Sequence, residues 1–149
     1  MLSLGMAVRT PRSKTSAKDS DYRALAEFRY HIRRYLEFSD EAAKVAGLEP
    51  KQYQLLLAIR GFAPDIQPTV GELAEQLRAH HHSTVELIDR AEANGLVQRT
   101  RSGTRVLVEL TKNGERVLKK AVEERLEELR VAGPLLVKTL KKLINRRAR

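Results

Sequence analysis

Apolar positions recur at helical spacing through most of the chain and switch once to strict alternation. From Ser20 or Asp21, either of which can cap a helix, Leu25, Phe28, Ile32, Tyr35, Leu36, Ala43 and Ala46 repeat every three or four residues, and Gly47 supplies a stop. Pro50 sits where a first-turn proline is tolerated and opens a second helix. Tyr53, Leu56, Leu57 and Ile59 form its apolar face, and Gly61 ends it. Residues 62–68 are a turn-rich connector with two prolines. Thr69, with Glu72 three residues on, has the pattern of a capping box and predicts a third helix over 70–77, with Leu73, Ala74 and Leu77 facing inward. A fourth helix follows over 81–94. Its buried face is Val85, Ile88 and Ala91, helped by Leu87; Asn94 and Gly95 end it, and Leu96 packs back on the core.

The period then changes from 3.6 to 2. Residues 97–100 and 105–110 alternate as two short strands, with Ser102-Gly103 as the turn between them. Thr111 can cap a fifth helix with the stripe Leu118, Ala121, Val122, Leu126 and Leu129. Gly133-Pro134 is expected to break that helix, and a last one continues through Leu135, Leu136, Leu140 and Leu143. There is no internal repeat. The succession of short helix, tight connection, second helix and hairpin predicts a mainly α chain with a two-stranded β-wing. This is a winged helix-turn-helix, whose second helix can enter the major groove of DNA. The first helix and the last two carry apolar stripes that a small winged domain cannot cover, and pairing with a second copy is the simplest way to bury them. The expected organisation is a flexible basic arm (1–18), an N-terminal dimerisation helix (19–47), the winged helix-turn-helix DNA-binding domain (48–111) and C-terminal dimerisation helices (112–149).

Composition narrows the reading. Hydrophobic residues at 42% and charged residues at 32% suit a helix-rich globular chain, and 149 residues can bury one useful core. No apolar run approaches the roughly 18 residues that span a bilayer. Residues 1–5 are apolar but too short and unflanked for a secretory signal, so a cytoplasmic location is the default expectation. Met1 and Met6 both qualify as the natural start. The absence of Cys excludes disulfides and thiol redox sensing. The net charge of +9 sits at the ends: Arg9, Arg12, Lys14 and Lys18 are unopposed in 1–18, and Lys138, Lys141, Lys142, Arg146, Arg147 and Arg149 are unopposed in 138–149. A near-neutral body with basic ends is compatible with nucleic acid, where neutralised phosphates release counterions.

Candidate DNA contacts concentrate in two places. The start of the fourth helix offers His81, His82, Ser83 and Thr84 to base edges and phosphates, with Glu86 and Arg90 on the same exposed side. Ser83 and Thr84 can equally serve as first-turn caps. The hairpin carries Arg99, Arg101 and Arg105 without an intervening acid, and an arginine at a wing tip can enter a narrow minor groove. His80, His81 and His82 do not make a metal site, because adjacent helical residues point about 100° apart. No Gly-rich phosphate loop, Ser-centred elbow or His-Glu-x-x-His motif is present. Neither an enzyme nor a cofactor is expected. Glu123-Glu124 and Glu127-Glu128 read as a solvated face.

Four segments together resemble the MarR family of transcriptional regulators. They are Leu48-Glu-Pro-Lys-Gln-Tyr-Gln-Leu-Leu-Leu-Ala-Ile59, Gly71-Glu-Leu-Ala-Glu-Gln-Leu77, His81-His-Ser-Thr-Val-Glu-Leu-Ile-Asp-Arg90 running into Gly95-Leu-Val97, and Val108-Glu-Leu-Thr-Lys-Asn-Gly114. The segments fall in the family's order over residues 20–145, and the His-His-Ser start of the fourth helix suggests a subgroup. The resemblance implies a homodimer, a palindromic site on double-stranded DNA, and often a small phenolic or other anionic effector, with repression as the expected mode. Arg105 matches the family's wing arginine, but the Asp usual two residues before it is replaced by Gly103 in a shortened loop. The cleft between the dimer helices and the reader is the expected effector pocket, with Tyr30, His31, Arg34 and Tyr53 as candidate lining. The rival reading is a non-specific architectural DNA-binding protein that uses its basic tails.

Overall fold

The computed structural model describes residues 16–146. The basic arm, apart from residues 16–18, and the arginines at 147 and 149 lie outside the described residues. Five helices and one hairpin follow in the order α1 (Asp19–Val45), α2 (Pro50–Arg60), α3 (Val70–Leu77), α4 (His81–Ala93), β1 (Val97–Ser102), β2 (Arg105–Leu110) and α5 (Lys112–Ile144). The expected mainly α chain with a two-stranded wing is what forms.

Local chemistry explains most of these boundaries. At α3 the capping box is complete: the Glu72 amide donates to Thr69 Oγ1 at 3.2 Å and the Thr69 amide donates to Glu72 Oε1 at 3.1 Å. Thr111 caps α5, accepting from the Gly114 amide at 3.0 Å while its own hydroxyl donates to the Gly95 carbonyl at 2.5 Å. At α1 the cap differs from expectation. Asp21 lies inside the helix and reaches back, accepting from the Lys18 amide at 2.8 Å. Pro50 occupies the first turn of α2. The α1 helix ends at Gly47, with the Leu48 amide bonded to the Ala43 carbonyl at 2.8 Å and the Gly47 amide to the Lys44 carbonyl at 3.0 Å.

Two compact units make up the chain. One joins residues up to Leu36 with those from Glu128 onward; the other is Glu37–Glu127. The second unit holds the core: Leu55, Leu56, Leu73, Ile88, Val97 and Val108 are essentially inaccessible, with Leu87, Ala91, Leu96, Leu118 and Ala121 packed among them. Truncating a fully buried leucine such as Leu73 to alanine costs about 3 kcal/mol. The hairpin is antiparallel, pairing Val97 with Leu110 and Ser102 with Arg105. The strand β1 is therefore two residues longer than expected, and the turn is Gly103-Thr104, with Gly103 at φ 63° where a side chain would be strained. The connector adds to the same sheet edge: the Val108 amide donates to the Pro68 carbonyl at 2.9 Å, and Thr69 bridges Leu107.

The first unit departs from expectation at Pro134 and leaves part of α1 uncovered, as its apolar pattern suggested. The α5 helix runs unbroken through Pro134, which lies inside it. Proline removes one amide from the ladder, at about 3 kcal/mol in a helix interior. The shaded positions Leu129, Ala132, Gly133, Leu136, Thr139 and Leu143 keep one helical phase across it, however, and Pro134 itself faces outward. Burial of that continuous stripe holds the helix together where local propensity would end it. On α1, Ala24, Phe28, Ile32 and Tyr35 are covered, while Leu25 and Leu36 are 51% and 53% exposed. The helix thus carries a second apolar stripe that its own unit does not bury. The first unit is tied by Arg146 to Asp21 at 2.9 Å and by Lys142 to Glu27 at 3.9 Å.

Gly114 lies against backbone: a Cβ there would lie 2.0 Å from the Leu96 carbonyl oxygen. Gly114→Ala should therefore destabilise by about 3 kcal/mol in denaturant titration, because the obstacle is backbone and cannot rotate away. A loss below about 0.5 kcal/mol would mean that the start of α5 does not press on Leu96 in solution.

The Lys18 amide bond, and then the Arg146 guanidinium, hold the Asp21 carboxyl below its ordinary value of 3.8, with burial opposing them. A depressed carboxylate stabilises fully above its unfolded pKa, and this is lost as pH falls through the folded value. The first turn of α1 should resist amide exchange down to about pH 4 and fray below it. Fraying that sets in already near about pH 6 would contradict this cap.

Candidate nucleic-acid interface

Four buried side chains set the rotation of α4. Thr84, Leu87, Ile88 and Ala91 face the core. At about 100° per residue the opposite face carries His82, Glu86, Asp89 and Ala93, all exposed. The first turn presents His81, His82 and Ser83 to solvent. His82 Nε2 lies 3.2 Å from Glu86 Oε1, one turn along the same face. Thr84 does not join them, contrary to expectation. It is 1% exposed and its hydroxyl donates to the His80 carbonyl at 2.9 Å, so it anchors the helix rather than contacting a partner. Arg90 stays half exposed, with Nε 3.6 Å from Glu49.

The wing arginines fall into three different environments. Arg99 was expected to be a free contact but is committed to α4: its guanidinium bonds Asp89 at 2.5 Å and Glu92 at 3.1 Å, and its amide also donates to Glu92 at 3.1 Å. Two carboxylates of α4 thus fix the root of the wing, and the charge of Arg99 is spent internally. The hairpin register puts Arg101, opposite Val106, on the same face as Arg99 but nearer the turn. Arg101 is exposed and makes no ion pair among the described residues. Arg105 lies on the other face and reaches Glu72 at 3.2 Å. Glu72 Oε1 is the same oxygen that accepts from the Thr69 amide and hydroxyl, at 3.1 and 3.0 Å. The acid missing at Gly103 is therefore supplied from α3, which orients Arg105.

Between α2 and α4 lies a cleft of about 250 Å³ walled by Lys51 and Gln54 on one side and Ser83, Glu86 and Arg90 on the other. Arg78, in the turn joining α3 to α4, is left-handed at φ 53° with its side chain exposed. None of Lys51, Gln54 or Arg78 stood out in the sequence. Exposed polar residues on a helix edge carry no periodic signal, and nothing local marks a left-handed arginine.

The candidate effector residues divide between the two units. On α1, Tyr30 is exposed, its ring edge-on to His31 with centroids 5.5 Å apart, and Arg34 sits 5.9 Å from the Tyr30 ring centre. Tyr53 belongs to the core of the other unit. It is 8% exposed and its ring face is covered by the Arg125 guanidinium at 3.8 Å. Arg125 is itself buried, donating to the Ser39 hydroxyl and carbonyl at 3.0 and 2.5 Å and to the Ala121 carbonyl at 2.8 Å. It falls in phase with Leu118, Ala121 and Val122, a signal that was present in the sequence and masked by the charge. Among the described residues no three His, Asp or Glu side chains converge on a metal position, and no helix is long and apolar enough to cross a membrane.

Residues 46–105 match the model of the MarR family. This segment contains α2, α3, α4 and most of the wing. No curated relative matches the chain. Among solved structures, a MarR family protein from Bacillus stearothermophilus is similar at 23% identity and TM-score 0.69, over 88% of this chain and 100% of that one. AbsC, a MarR family transcriptional regulator from Streptomyces coelicolor, is similar at 17% identity and TM-score 0.70, over 87% and 92%. A mutant of MepR from S. aureus, bound to an oligodeoxyribonucleotide, is similar at 17% identity and TM-score 0.60, over 83% and 96%. At these identities the likeness establishes the winged-helix fold of MarR-family structures.

The Arg99 clamp has a measurable consequence. Arg99→Gln should speed amide exchange in β1 and β2 by about tenfold and cost about 1–2 kcal/mol, leaving the core amides of α4 protected. Unchanged exchange in the wing would show that Asp89 and Glu92 do not hold it.

Proposed function

We propose that this protein is a sequence-specific DNA-binding transcriptional regulator, acting as a homodimer on a palindromic operator and repressing transcription there. The observation that carries this reading is the exposed first turn of α4 beside a wing whose Arg101 is uncommitted, on a fold shared with a MepR mutant bound to DNA. His81, His82 and Ser83 stand at the end of a helix whose outward carboxylates each have a partner, Glu86 in His82 and Asp89 in Arg99. The two imidazoles can address base edges in the major groove, and the Ser83 hydroxyl lies on the α2 flank of the same turn. Arg101 and Arg105 are the arginines placed for a neighbouring minor groove or its phosphates, and Arg105 exchanges Glu72 for phosphate when it does so. Arg90 contributes from the α2 side of the helix.

Exposed apolar side chains support the pairing of two copies. Tyr22, Leu25, Tyr30 and Leu36 on α1 and Val131, Leu135, Val137, Leu140 and Ile144 on α5 are between 40% and 68% exposed. An apolar surface of this extent on helices not long and apolar enough to cross a membrane is the usual mark of an oligomer interface. Two recognition helices would then be held about one duplex turn, roughly 34 Å, apart. A planar anionic or phenolic molecule suits the aromatic edges and cation of Tyr30, His31 and Arg34. By favouring a different spacing of the two readers it would release DNA.

An operator selected from a random duplex pool should be an inverted repeat, and the chain should sediment as a dimer. His82→Ala and Arg101→Ala should each weaken binding to that operator by about tenfold with unchanged melting temperature. Equal affinity for selected and random duplexes would favour an architectural DNA-binding protein instead, and operator affinity unaffected by either substitution would remove α4 and the wing from the interface.

A further inference from the structure

The cleft between α2 and α4 lies on the flank of the recognition helix away from the wing. Around α4, Glu92 faces the wing through Arg99, His82, Glu86 and Asp89 face outward, and Ser83 and Arg90 face α2. Lys51 and Gln54, one turn apart on α2, oppose them. Lys51 Nζ, the Gln54 amide and the Ser83 hydroxyl are exposed and make no side-chain hydrogen bond or ion pair among the described residues. Three uncommitted donors around a concavity of about 250 Å³ fit a ligand that offers oxygen acceptors.

The charges nearby decide which one. Glu86 also lines the cleft, with its carboxylate 3.2 Å from His82 Nε2, and Arg90 is offset by Glu49 at 3.6 Å. Lys51 is then the one cation lining the cleft that has no ion-pair partner among the described residues. A free phosphate dianion would find too little positive potential here. A phosphodiester carries one negative charge and is delivered by a polymer whose other phosphates are held elsewhere, which matches the site.

We propose that the α2–α4 cleft seats one backbone phosphate of duplex DNA, with Lys51 supplying the charge and Gln54 and Ser83 the hydrogen bonds. The proposal rests on the DNA-binding reading above and extends it. A helix lying in a major groove has a sugar-phosphate wall on each side; the wing addresses one and this cleft grips the other. Such contacts carry no sequence information and set the depth and register at which α4 enters.

The test uses the full chain and a random-sequence duplex of about 30 bp, since the contact is independent of base sequence, with salt varied from about 50 to 200 mM. Lys51→Gln should lower affinity about tenfold and reduce the salt slope by about one per subunit. Gln54→Ala should lower affinity about threefold and leave the slope unchanged, because a neutral donor releases no counterion. Both residues are exposed, so melting temperatures should not move. Lys51→Gln and Gln54→Ala proteins that bind like the parent, while Arg101→Ala binds weakly, would overturn the cleft proposal and leave the DNA reading standing. A parent protein that binds no duplex would end both. In the absence of DNA, about 10 mM inorganic phosphate should leave the Gln54 side-chain amide resonances in place. A shift there, with duplex affinity insensitive to both substitutions, would assign the cleft to a free anion and overturn the proposal.

Discussion

The rotation of α4 about its own axis is the constraint on which the rest depends. Thr84, Leu87, Ile88 and Ala91 sink into a core shared with α2, α3 and the hairpin, and a helix has only one way to bury four such positions. Once they are buried, His82, Glu86 and Asp89 must point outward, Ser83 and Arg90 must flank α2, and Glu92 must flank the wing. Thr84 shows how strict this is. Its hydroxyl would suit a DNA contact, but its position on the wheel takes it inward, where it satisfies itself on the His80 carbonyl.

Charge pairing then decides which polar residues remain available. The exposed side of α4 is not basic by itself; Asp89 and Glu92 are matched by Arg99 from the wing, and Glu86 lies against the His82 imidazole within the helix. This arrangement spends one arginine on holding the wing and leaves Arg101 uncommitted. It also borrows Glu72 twice, as the cap of α3 and as the rest position of Arg105. Surface pairs of this kind are individually worth about 1 kcal/mol or less, so a phosphate can displace them. The Arg99 cluster, with its several bonds, resists displacement and keeps the wing in place.

Much of the architecture was legible because it is locally encoded. The Thr69–Glu72 box, the Thr111 cap, Pro50 at a helix start and Gly103 in the hairpin turn each act within a few residues, and each appears as read. Pro134 was misread for the same reason: proline is a strong local breaker, and only the in-phase burial on both sides of it keeps α5 whole. The surroundings of Tyr53 were not legible, because an aromatic residue on an apolar stripe says nothing of what covers its face. The cover, Arg125, comes from 72 positions later in the chain.

By itself, then, the sequence determined the identity and order of the elements as far as the start of α5, the winged helix-turn-helix pattern, and the clustering of polar residues at the head of α4. These follow from periodicity and capping, which operate over one or two helical turns. Tertiary structure alone decided which of those residues face outward and which are already engaged. Thr84 is withdrawn by packing and Arg99 by two carboxylates of α4, and the ring face of Tyr53 is covered by a buried guanidinium. Lys51, Gln54 and Ser83 are brought to one cleft by the packing of α2 against α4. Burial and ion pairing join side chains that are distant along the chain, and no local pattern carries that information.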